Sequence, residues 1–194
     1  MGTRGLMAFA HDGKVKAMYN HYDSYPSGLG KDIADWVRGL PEDLSEEIAL
    51  FDRLEAVDED VDPTEDQKLA LLRYFDPRVS TQSDNDWYSL LRGTQGDPAA
   101  TLSAGFYVDG YEFGYDSLFC EWGYVIDLDR KVVEVYKGFQ KSPPTRGRWA
   151  GERDPDRSGY YAVELIEEIG FAHLKDEPHW MTDLEERLYA EDEN

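Results

Sequence analysis

Residues 19–25, YNHYDSY, bring together the side chains of this chain that are best suited to ligand chemistry. If the segment is extended, His21 and Asp23 point to the same side, because alternate residues of a strand share a face. A carboxylate beside an imidazole raises its basicity, so this pair could act as a general base. A structural interpretation is also open: Asn20 and Asp23 would hydrogen-bond the backbone of a turn, while the tyrosines pack around it.

The next residues, PSGLG at 26–30, predict a sharp turn from a strand into a helix. Gly28 and Gly30 would let a ligand approach the backbone there. The segment KDIADWVRGL follows with apolar residues at helical spacing, and free N–H groups in the first turn of a helix attract anions. We therefore predict a site for a small polar or anionic ligand at residues 19–30, with these candidate residues: Thr3, Arg4, Asn20, His21, Asp23, Tyr25, Gly28 and Gly30. No catalytic residue is assigned.

Metal and cofactor chemistry find little support in the sequence. There is a single thiol, and the four histidines are scattered without a close pair at ligand spacing: His11, His21, His173 and His179. The acidic stretch DEDVDPTED has aspartates at alternate positions, but Pro63 and Leu69 stand where a calcium loop needs glycine and glutamate. No phosphate-binding glycine loop of the Walker or dinucleotide kind is present. We expect neither a metal nor a cofactor.

Cys120 and Glu121 lie in the apolar stretch LFCEW. We interpret Cys120 as a buried structural residue rather than a nucleophile, because free cysteine is among the most buried residue types. Glu121 has two interpretations. It could be a carboxylate in apolar surroundings with a raised pKa, or a strand residue that faces outwards.

The charge balance limits the classes of partner. Asp and Glu number 41 against 20 Lys and Arg, a formal net charge of −21. Direct nucleic-acid binding needs a basic surface, so we expect none, and anionic membranes are disfavoured in the same way. A basic protein partner is favoured, although acidity also serves solubility. No apolar run is long enough to span a membrane, no secretory signal is evident, and one cysteine allows no internal disulfide, so we expect a cytoplasmic protein.

The elements that must position the candidate site follow from apolar patterning. Asp12-Gly13 is a type I′ turn pair, which predicts a hairpin of residues 6–10 and 15–20. Arg4 enters this hairpin, so we expect it to approach Asp23 or a neighbouring carboxylate or carbonyl. A second hairpin is predicted at 124–128 and 132–136. Together with central helices, this gives a single α+β domain over residues 1–194, with an acidic C-terminal tail.

Several of the helices are predicted in more detail. Helices with Leu44, Ile48, Phe51 and Leu54, and with Leu69, Leu72 and Phe75, are expected between residues 41 and 77, the second capped by Thr64. A short helix capped by Ser83 or Asp84 is expected to bury Trp87, Leu90 and Leu91. The segment YYAVELIEEIGF is predicted to form an amphipathic helix, and a last short helix is predicted in the tail.

Four segments resemble an uncharacterised protein family of actinobacteria, their phages and fungi. They are GTRGL (2–6), YNHYDSYPSGLG (19–30), DWYSLLRGTQGD (86–97) and EWGYVIDLDRKVVEVYKGFQ (121–140). The resemblance implies no activity. It implies only that these residues belong to one constellation: Thr3, Arg4, Asn20, His21, Asp23, Tyr25, Pro26, Gly28 and Gly30.

The N-terminus MGTR also resembles the start of the choloylglycine-type N-terminal-nucleophile hydrolases. In those enzymes the second residue is the nucleophilic cysteine, whereas this chain has Gly2, which has no side chain to attack with. Thr3 lies one position too late to use its own amine as the base. This resemblance therefore concerns the fold alone.

Two functions remain open from the sequence. The first is a pocket protein that binds a small polar or anionic ligand at the turn, with or without catalysis. The second is an acidic interaction protein, for example a phage-encoded effector that blocks a host or defence protein through its negative surface. A cleft lined by residues 19–30 would favour the first function, and one continuous face of the acids at 42–66 and in the C-terminal tail would favour the second.

Overall fold

The computed structural model describes residues 2–79, 84–151 and 153–192. Its strands are β1 Gly5–His11, β2 Lys14–Asn20, β3 Glu55–Val57, β4 Phe106–Val108, β5 Trp122–Asp127, β6 Val132–Lys137 and β7 Glu164–Gly170. Five of them form one sheet in the order β2-β1-β5-β6-β7, and β3 pairs with β4 in a small parallel ribbon. In the main sheet only the β1–β5 pair is parallel. The predicted α+β class is confirmed.

Both predicted hairpins are present. Asp12 and Gly13 have φ angles of 48° and 71°, and positive φ at both central residues defines the type I′ turn. The second hairpin joins β5 to β6 through residues 128–131, as expected. The β1–β5 pairing places the two hairpins side by side in one sheet. The ends of β1, β2, β5 and β6 therefore lie together at the two ends of the sheet.

In the described part of the chain, seven α-helices surround the sheet: α1 Lys31–Gly39, α2 Ser45–Arg53, α3 Glu65–Leu71, α4 Trp87–Leu90, α5 Pro98–Ala104, α6 Phe171–Asp176 and α7 Trp180–Asp192. Short 3-10 turns occur at Leu72–Tyr74, Arg92–Thr94 and Tyr111–Tyr115, and a single π-helical turn at Pro26–Gly30 leads into α1. Within the described residues, no helix is long and apolar enough to cross a membrane.

The sheet is covered on both faces, which explains why β1 reads as an almost continuous apolar run. Met7 and Phe9 belong to a core with side chains from α1, α2, α6 and α7. Leu6 and Ala8 face the other way and belong to a second core with Trp149 and the Tyr111–Tyr115 turn. A third, smaller cluster joins α3, α4, β3 and β4 into a lobe beside the edge strand β2.

The prediction of a helix in YYAVELIEEIGF is wrong, because residues 164–170 form strand β7. The pairing of β6 with β7 shifts register between Val135 and Tyr136, where a bulge leaves Ile166 without a Cα partner. Leu165 packs on one face of the sheet with Tyr136, while Ile169 packs on the other face with Val133. The extra residue breaks the period of two expected of a strand and produces spacings that resemble a helix.

Three local predictions on the central helices have different outcomes. Thr64 caps α3 as expected, in a capping box with Gln67. The expected apolar face of that helix is wrong: Leu69 and Leu72 are 74% and 62% exposed, and Leu71 is the buried residue. Trp87, Leu90 and Leu91 are buried as predicted, but the cap of α4 is Asp86 rather than Asp84, and Ser83 lies outside the described residues.

Candidate functional site

The turn that begins at the end of β2 is held by its own backbone. Asp23 adopts a left-handed φ of 49°, and its carbonyl oxygen accepts a hydrogen bond of 2.8 Å from the Leu29 N–H. The Tyr25 carbonyl oxygen accepts from the N–H groups of Gly28 and Gly30 at 3.0 and 3.2 Å. These bonds fold the chain back on itself, so that residues 20–23 form one wall of a cleft.

Asn20 is buried, and besides lining the cleft its side chain hydrogen-bonds residues of the turn. Its side-chain Nδ2 donates to the Tyr22 carbonyl oxygen at 2.5 Å and to the Ser24 Oγ at 2.8 Å. Ser24 is fully buried, and its carbonyl oxygen accepts from the Tyr124 hydroxyl at 3.0 Å. The structural interpretation is therefore confirmed for Asn20, whose amide nitrogen holds the backbone of the turn.

The cleft has a volume of about 200 Å³ and lies between this turn and the segment that follows α4. Its lining residues come from the turn, from α1 and from the 3-10 turn at 92–94 and the residues after it: Asn20, Tyr22, Asp23, Leu29, Asp32, Arg92, Gln95 and Gly96. A second, open depression of about 280 Å³ shares Asp32 and Gly96 with it and adds Asp35 and Asp97. The cleft thus passes from a guanidinium towards a group of carboxylates.

Arg92 supplies the positive charge of the cleft. Its guanidinium lies over the ring of Tyr22 at 4.8 Å and near that of Tyr88 at 5.9 Å, and its Nη1 donates to the Gln95 Oε1 at 2.6 Å. Across residues 2–79, 84–151 and 153–192, no carboxylate forms an ion pair with it within 4.0 Å. The arginine is therefore held in place by neutral groups without a direct ion pair, although its charge helps to lower the pKa of the Asp76 carboxyl.

Asp32, on α1, also lines the cleft. Burial raises the pKa of the Asp32 carboxyl, and Asp97 raises it further, while Lys31 acts in the opposite direction. Asp97 affects the pKa of Asp32 because both carboxylates line the adjoining depression and repel each other. A cationic or hydrogen-bond-donating group of a ligand would relieve this mutual repulsion.

The expected His21–Asp23 pair does not form. β2 ends at Asn20, and the left-handed φ of Asp23 breaks the alternation that would have placed the two side chains on one face. His21 instead shares a hydrogen bond of 2.7 Å between its Nδ1 and the Tyr19 hydroxyl. Burial lowers the pKa of His21, and the guanidinium groups of Arg92 and Arg4 lower it further, so the neutral imidazole is favoured.

Among the described residues, the Arg4 side chain forms no ion pair or hydrogen bond with Asp23, a neighbouring carboxylate or a carbonyl, contrary to the expectation. Its guanidinium lies 4.6 Å from the centre of the Phe119 ring, because the start of β1 is next to β5 and the residues before it. Arg4 still acts at a distance. Its charge lowers the pKa of His21 and opposes the larger effect of burial, which raises the pKa of Tyr19. The neighbourhood of His21 is therefore positive, within a chain that is strongly negative overall.

An apolar pocket of about 240 Å³ adjoins the cleft at Gln95, between β2 and the small lobe. Met18, Tyr19, Trp87, Tyr88 and Tyr107 are among its lining residues, and Gln95 lines both the pocket and the cleft. Burial raises the pKa of the Tyr19 and Tyr107 phenols, so both remain neutral hydrogen-bonding groups. The pocket offers apolar surface next to the polar cleft.

The remaining predicted residues lie near the cleft without lining it. Thr3 is buried, and its carbonyl oxygen accepts from the Ser24 N–H at 3.2 Å. Gly28 packs against the backbone of Asp23, and Gly30 packs against the Tyr124 ring. Tyr25 lines a different pocket, on the α7 side of the turn. Of the predicted set, only Asn20 and Asp23 line the cleft itself.

Sequence reasoning missed the half of the cleft that comes from residues 92–96. The segment GTQGD lacks the pattern of a phosphate loop, and no other role for it is evident from the sequence. Gly96 has a positive φ of 76° and Asp97 caps α5, which together mark a tight turn of the kind also found at residues 23–30. Two such turns facing each other form a cleft, but their proximity depends on tertiary packing.

A buried ionic network on the opposite half of the sheet was also missed. Arg148 donates to Asp127 Oδ2 at 2.7 Å and to both oxygens of Glu134 at 2.8 Å, and the Tyr136 hydroxyl donates to Glu134 Oε2 at 2.7 Å. Asp127 and Glu134 are only 4% and 3% exposed. Arg130 also contacts Glu134. We interpret this network as structural.

Other candidate chemistries can be placed directly. Cys120 is fully buried as predicted, and burial raises the pKa of its thiol. Glu121 lines the pocket on the α7 side together with Tyr25. Among the residues the structure describes, no group of three His, Cys, Asp or Glu side chains is arranged to hold a metal ion. Comparison with protein families, curated proteins and solved structures gave no match to this chain.

Proposed function

We propose that this chain binds a small polar ligand with an anionic group, in the cleft between residues 19–30 and residues 92–96. The observation that carries the proposal is the state of Arg92. Its guanidinium is fixed by Tyr22, Tyr88 and Gln95, and no carboxylate of the described chain is paired with it. In a chain with 41 acidic residues, an arginine in this state supports a role in binding a carboxylate or phosphate.

The carboxylates of the cleft favour a ligand that is not purely anionic. Asp23 and Asp32 line the same cleft, and Asp97 lies in the adjoining depression. A second anionic group there would meet repulsion, whereas an ammonium or hydroxyl group would donate hydrogen bonds to these carboxylates. The cleft therefore suits a zwitterion or a hydroxylated acid, with its anionic end at Arg92. The neighbouring apolar pocket offers room for an apolar substituent.

The acidic interaction protein remains the second candidate. The acids of residues 42–66 lie in part on β3 and α3, which belong to the small lobe, whereas α7 packs on α1 and on the Pro26–Gly30 turn. This distribution, together with a cleft lined by the 19–30 segment, supports the ligand-binding function more strongly. A cytoplasmic location and the resemblance to the actinobacterial, phage and fungal family also remain proposals, and no catalytic step is assigned.

A thermal-shift screen followed by calorimetry tests the proposal. The panel contains amino acids and hydroxy acids, each with an analogue that lacks the anionic group and one that lacks the ammonium or hydroxyl group, and inorganic phosphate as a simple anion. The expected result is that the complete compounds raise Tm and that both truncated analogues bind more weakly. No binding by any anionic member would contradict the proposal.

Two arginine variants separate the site from general charge effects. Arg92→Gln removes the guanidinium in the cleft. Arg73→Gln is the matched control, because the Arg73 guanidinium also lies over a tyrosine ring, that of Tyr74 at 4.6 Å, but outside the cleft. Loss of a charge-assisted bidentate contact should weaken binding by about tenfold or more in the first variant only. Equal binding by Arg92→Gln and the unaltered chain would refute the site.

A further inference from the structure

A separate pocket on the α7 side of the turn has aromatic residues as half of its lining. Its volume is about 160 Å³, and its aromatic lining residues are Tyr25, Trp122, Phe139 and Tyr189. They come from the turn, the start of β5, the segment that follows β6, and α7, four parts of the chain that meet at one end of the sheet. The volume is well below the roughly 300–1,000 Å³ of pockets for drug-sized ligands, so it suits a single small group.

Phe139 reaches this pocket through an unusual backbone conformation. It has a positive φ of 59°, which is rare for a bulky residue, and it remains 49% exposed. Its N–H donates to the Ser117 carbonyl oxygen at 2.7 Å, which holds the conformation. Burial of the ring does not explain the conformation, since half of the residue faces solvent. Disfavoured conformations of this kind cluster at ligand sites.

Carboxylates supply the charge of the pocket. Glu121 and Glu185 both line it, and Glu185 is held by a hydrogen bond of 2.7 Å from the Ser27 N–H to its Oε2. Burial raises the pKa of the Tyr189 phenol, and Glu185, Tyr25 and Glu121 raise it further, which places both carboxylates within electrostatic range of that hydroxyl. Lys137 also lines the pocket, so two carboxylates face one ammonium and the lining remains negative.

We propose that this aromatic pocket binds an alkylammonium group, and that a methylated ammonium fits it best. Aromatic faces attract a cation through the ring quadrupole, and a cation with methyl groups makes better contact with apolar walls than a strongly hydrated ammonium does. Glu121 and Glu185 add Coulomb attraction, and the net charge of −21 favours the approach of cations. The group has two possible sources, a free quaternary amine or a methylated lysine on a protein.

This site is independent of the Arg92 cleft, since the two have no lining residue in common. Tyr25 belongs to the 19–30 segment, but its ring lines the aromatic pocket instead of the cleft. The cleft also requires an anionic group at Arg92, which choline lacks. Failure of one proposal therefore leaves the other standing, and Arg92→Gln should not alter binding at the aromatic pocket.

The test compares choline with 3,3-dimethyl-1-butanol, a neutral molecule of the same shape, by NMR titration of the full chain. Choline is expected to bind at least about tenfold more tightly than the alcohol, because the charge supplies the cation–π and Coulomb terms. Equal affinity would mean a merely apolar pocket and would overturn the proposal. So would the absence of binding by choline and by a trimethyllysine peptide alike. The preferred source is identified by whether the peptide or free choline binds more tightly.

Three variants locate the binding. Glu121→Gln should weaken choline binding by several-fold, and Phe139→Ala should weaken it by a similar factor without affecting the core, because Phe139 is half exposed. Glu186→Gln is the matched control, since Glu186 is exposed on α7 and lies outside the pocket lining. An equal effect of Glu121→Gln and Glu186→Gln would show that choline responds only to total charge and would overturn the assignment.

Discussion

Gly28 and Asp23 approach each other so closely that only glycine fits. A Cβ atom on Gly28 would lie 2.2 Å from the Asp23 carbonyl oxygen, the same oxygen that accepts the hydrogen bond from Leu29. Gly28 has φ −100° and ψ −105°, so the requirement arises from this contact and not from a positive φ. A larger residue at position 28 would therefore displace the backbone of Asp23, which lines the cleft.

Gly28→Ala should lower the free energy of unfolding by about 1–3 kcal/mol, because the backbone must shift to relieve the clash. Gly39→Ala is the control: a Cβ atom there would meet nothing within 4 Å beyond its own helix and chain neighbours, and Gly39 ends helix α1. That change should be neutral or stabilising by up to about 1 kcal/mol. Urea unfolding measures both, and equal stability of Gly28→Ala and the unaltered chain would be inconsistent with the contact.

The sequence predicted what depends on neighbours along the chain. The Asp12-Gly13 turn, the second hairpin, helix α1 and the Thr64 cap follow from local patterning, and the structure confirms them. Strand β7 was missed because its bulge changes the apolar period, and the bulge is defined only by pairing with β6. Local signals describe pairing across the sheet poorly when one strand carries an extra residue.

At the candidate site, too, the features set by local sequence were predicted and those set by tertiary packing were not. Asn20 and Asp23 were placed at the turn from sequence, and they do line the cleft. Arg92, which faces them, is about 70 residues further along the chain, and no local pattern links it to the turn. The expected partner of His21 was wrong for a related reason. The left-handed φ of Asp23 ends the strand alternation, and that conformation depends on the bond from Leu29.

Glu134→Gln should destabilise the protein strongly. Glu134 is buried and contacts Arg148, Arg130 and the Tyr136 hydroxyl, so an amide in its place removes a buried negative charge that these groups share and leaves Arg148 to depend on its ion pair with Asp127. The expected loss is about 3–5 kcal/mol in the free energy of unfolding. Glu168 is the matched control: it pairs with Glu134 across the β6–β7 register and contacts Arg130, but it is exposed. Glu168→Gln should cost less than about 1 kcal/mol.

Duplex DNA should not bind this chain at about physiological salt, because its net charge of −21 opposes a polyanion. The stretch around Arg146 and Arg148 is the most basic part of the sequence, yet the Arg148 guanidinium is paired with Asp127 and Glu134. Fluorescence anisotropy with a labelled duplex measures the binding. Salt-sensitive binding in the micromolar range would contradict the expectation and would point to the surface near Arg146.

His21→Ala should cost little stability and should weaken binding in the Arg92 cleft without abolishing it, because His21 does not line the cleft but contacts the Tyr22 ring over which Arg92 lies. His21 is only partly buried and its side chain shares a hydrogen bond with Tyr19, so the expected cost is below about 2 kcal/mol. Urea unfolding and calorimetry with any compound that binds the unaltered chain provide the two measurements. A loss of about 2–5 kcal/mol, typical of a core truncation, would instead identify His21 as a structural residue.

The titration of His21 should depend on Arg92. Burial and the guanidinium groups of Arg92 and Arg4 lower its pKa in the folded protein, so its NMR titration midpoint should lie below about 6.5. As pH falls below that value, the unfolded chain binds the proton first, and this group makes stability fall. Arg92→Gln should raise the midpoint and reduce that fall, whereas Arg73→Gln should leave both unchanged. An unaltered midpoint in Arg92→Gln would show that the Arg92 charge does not act on His21.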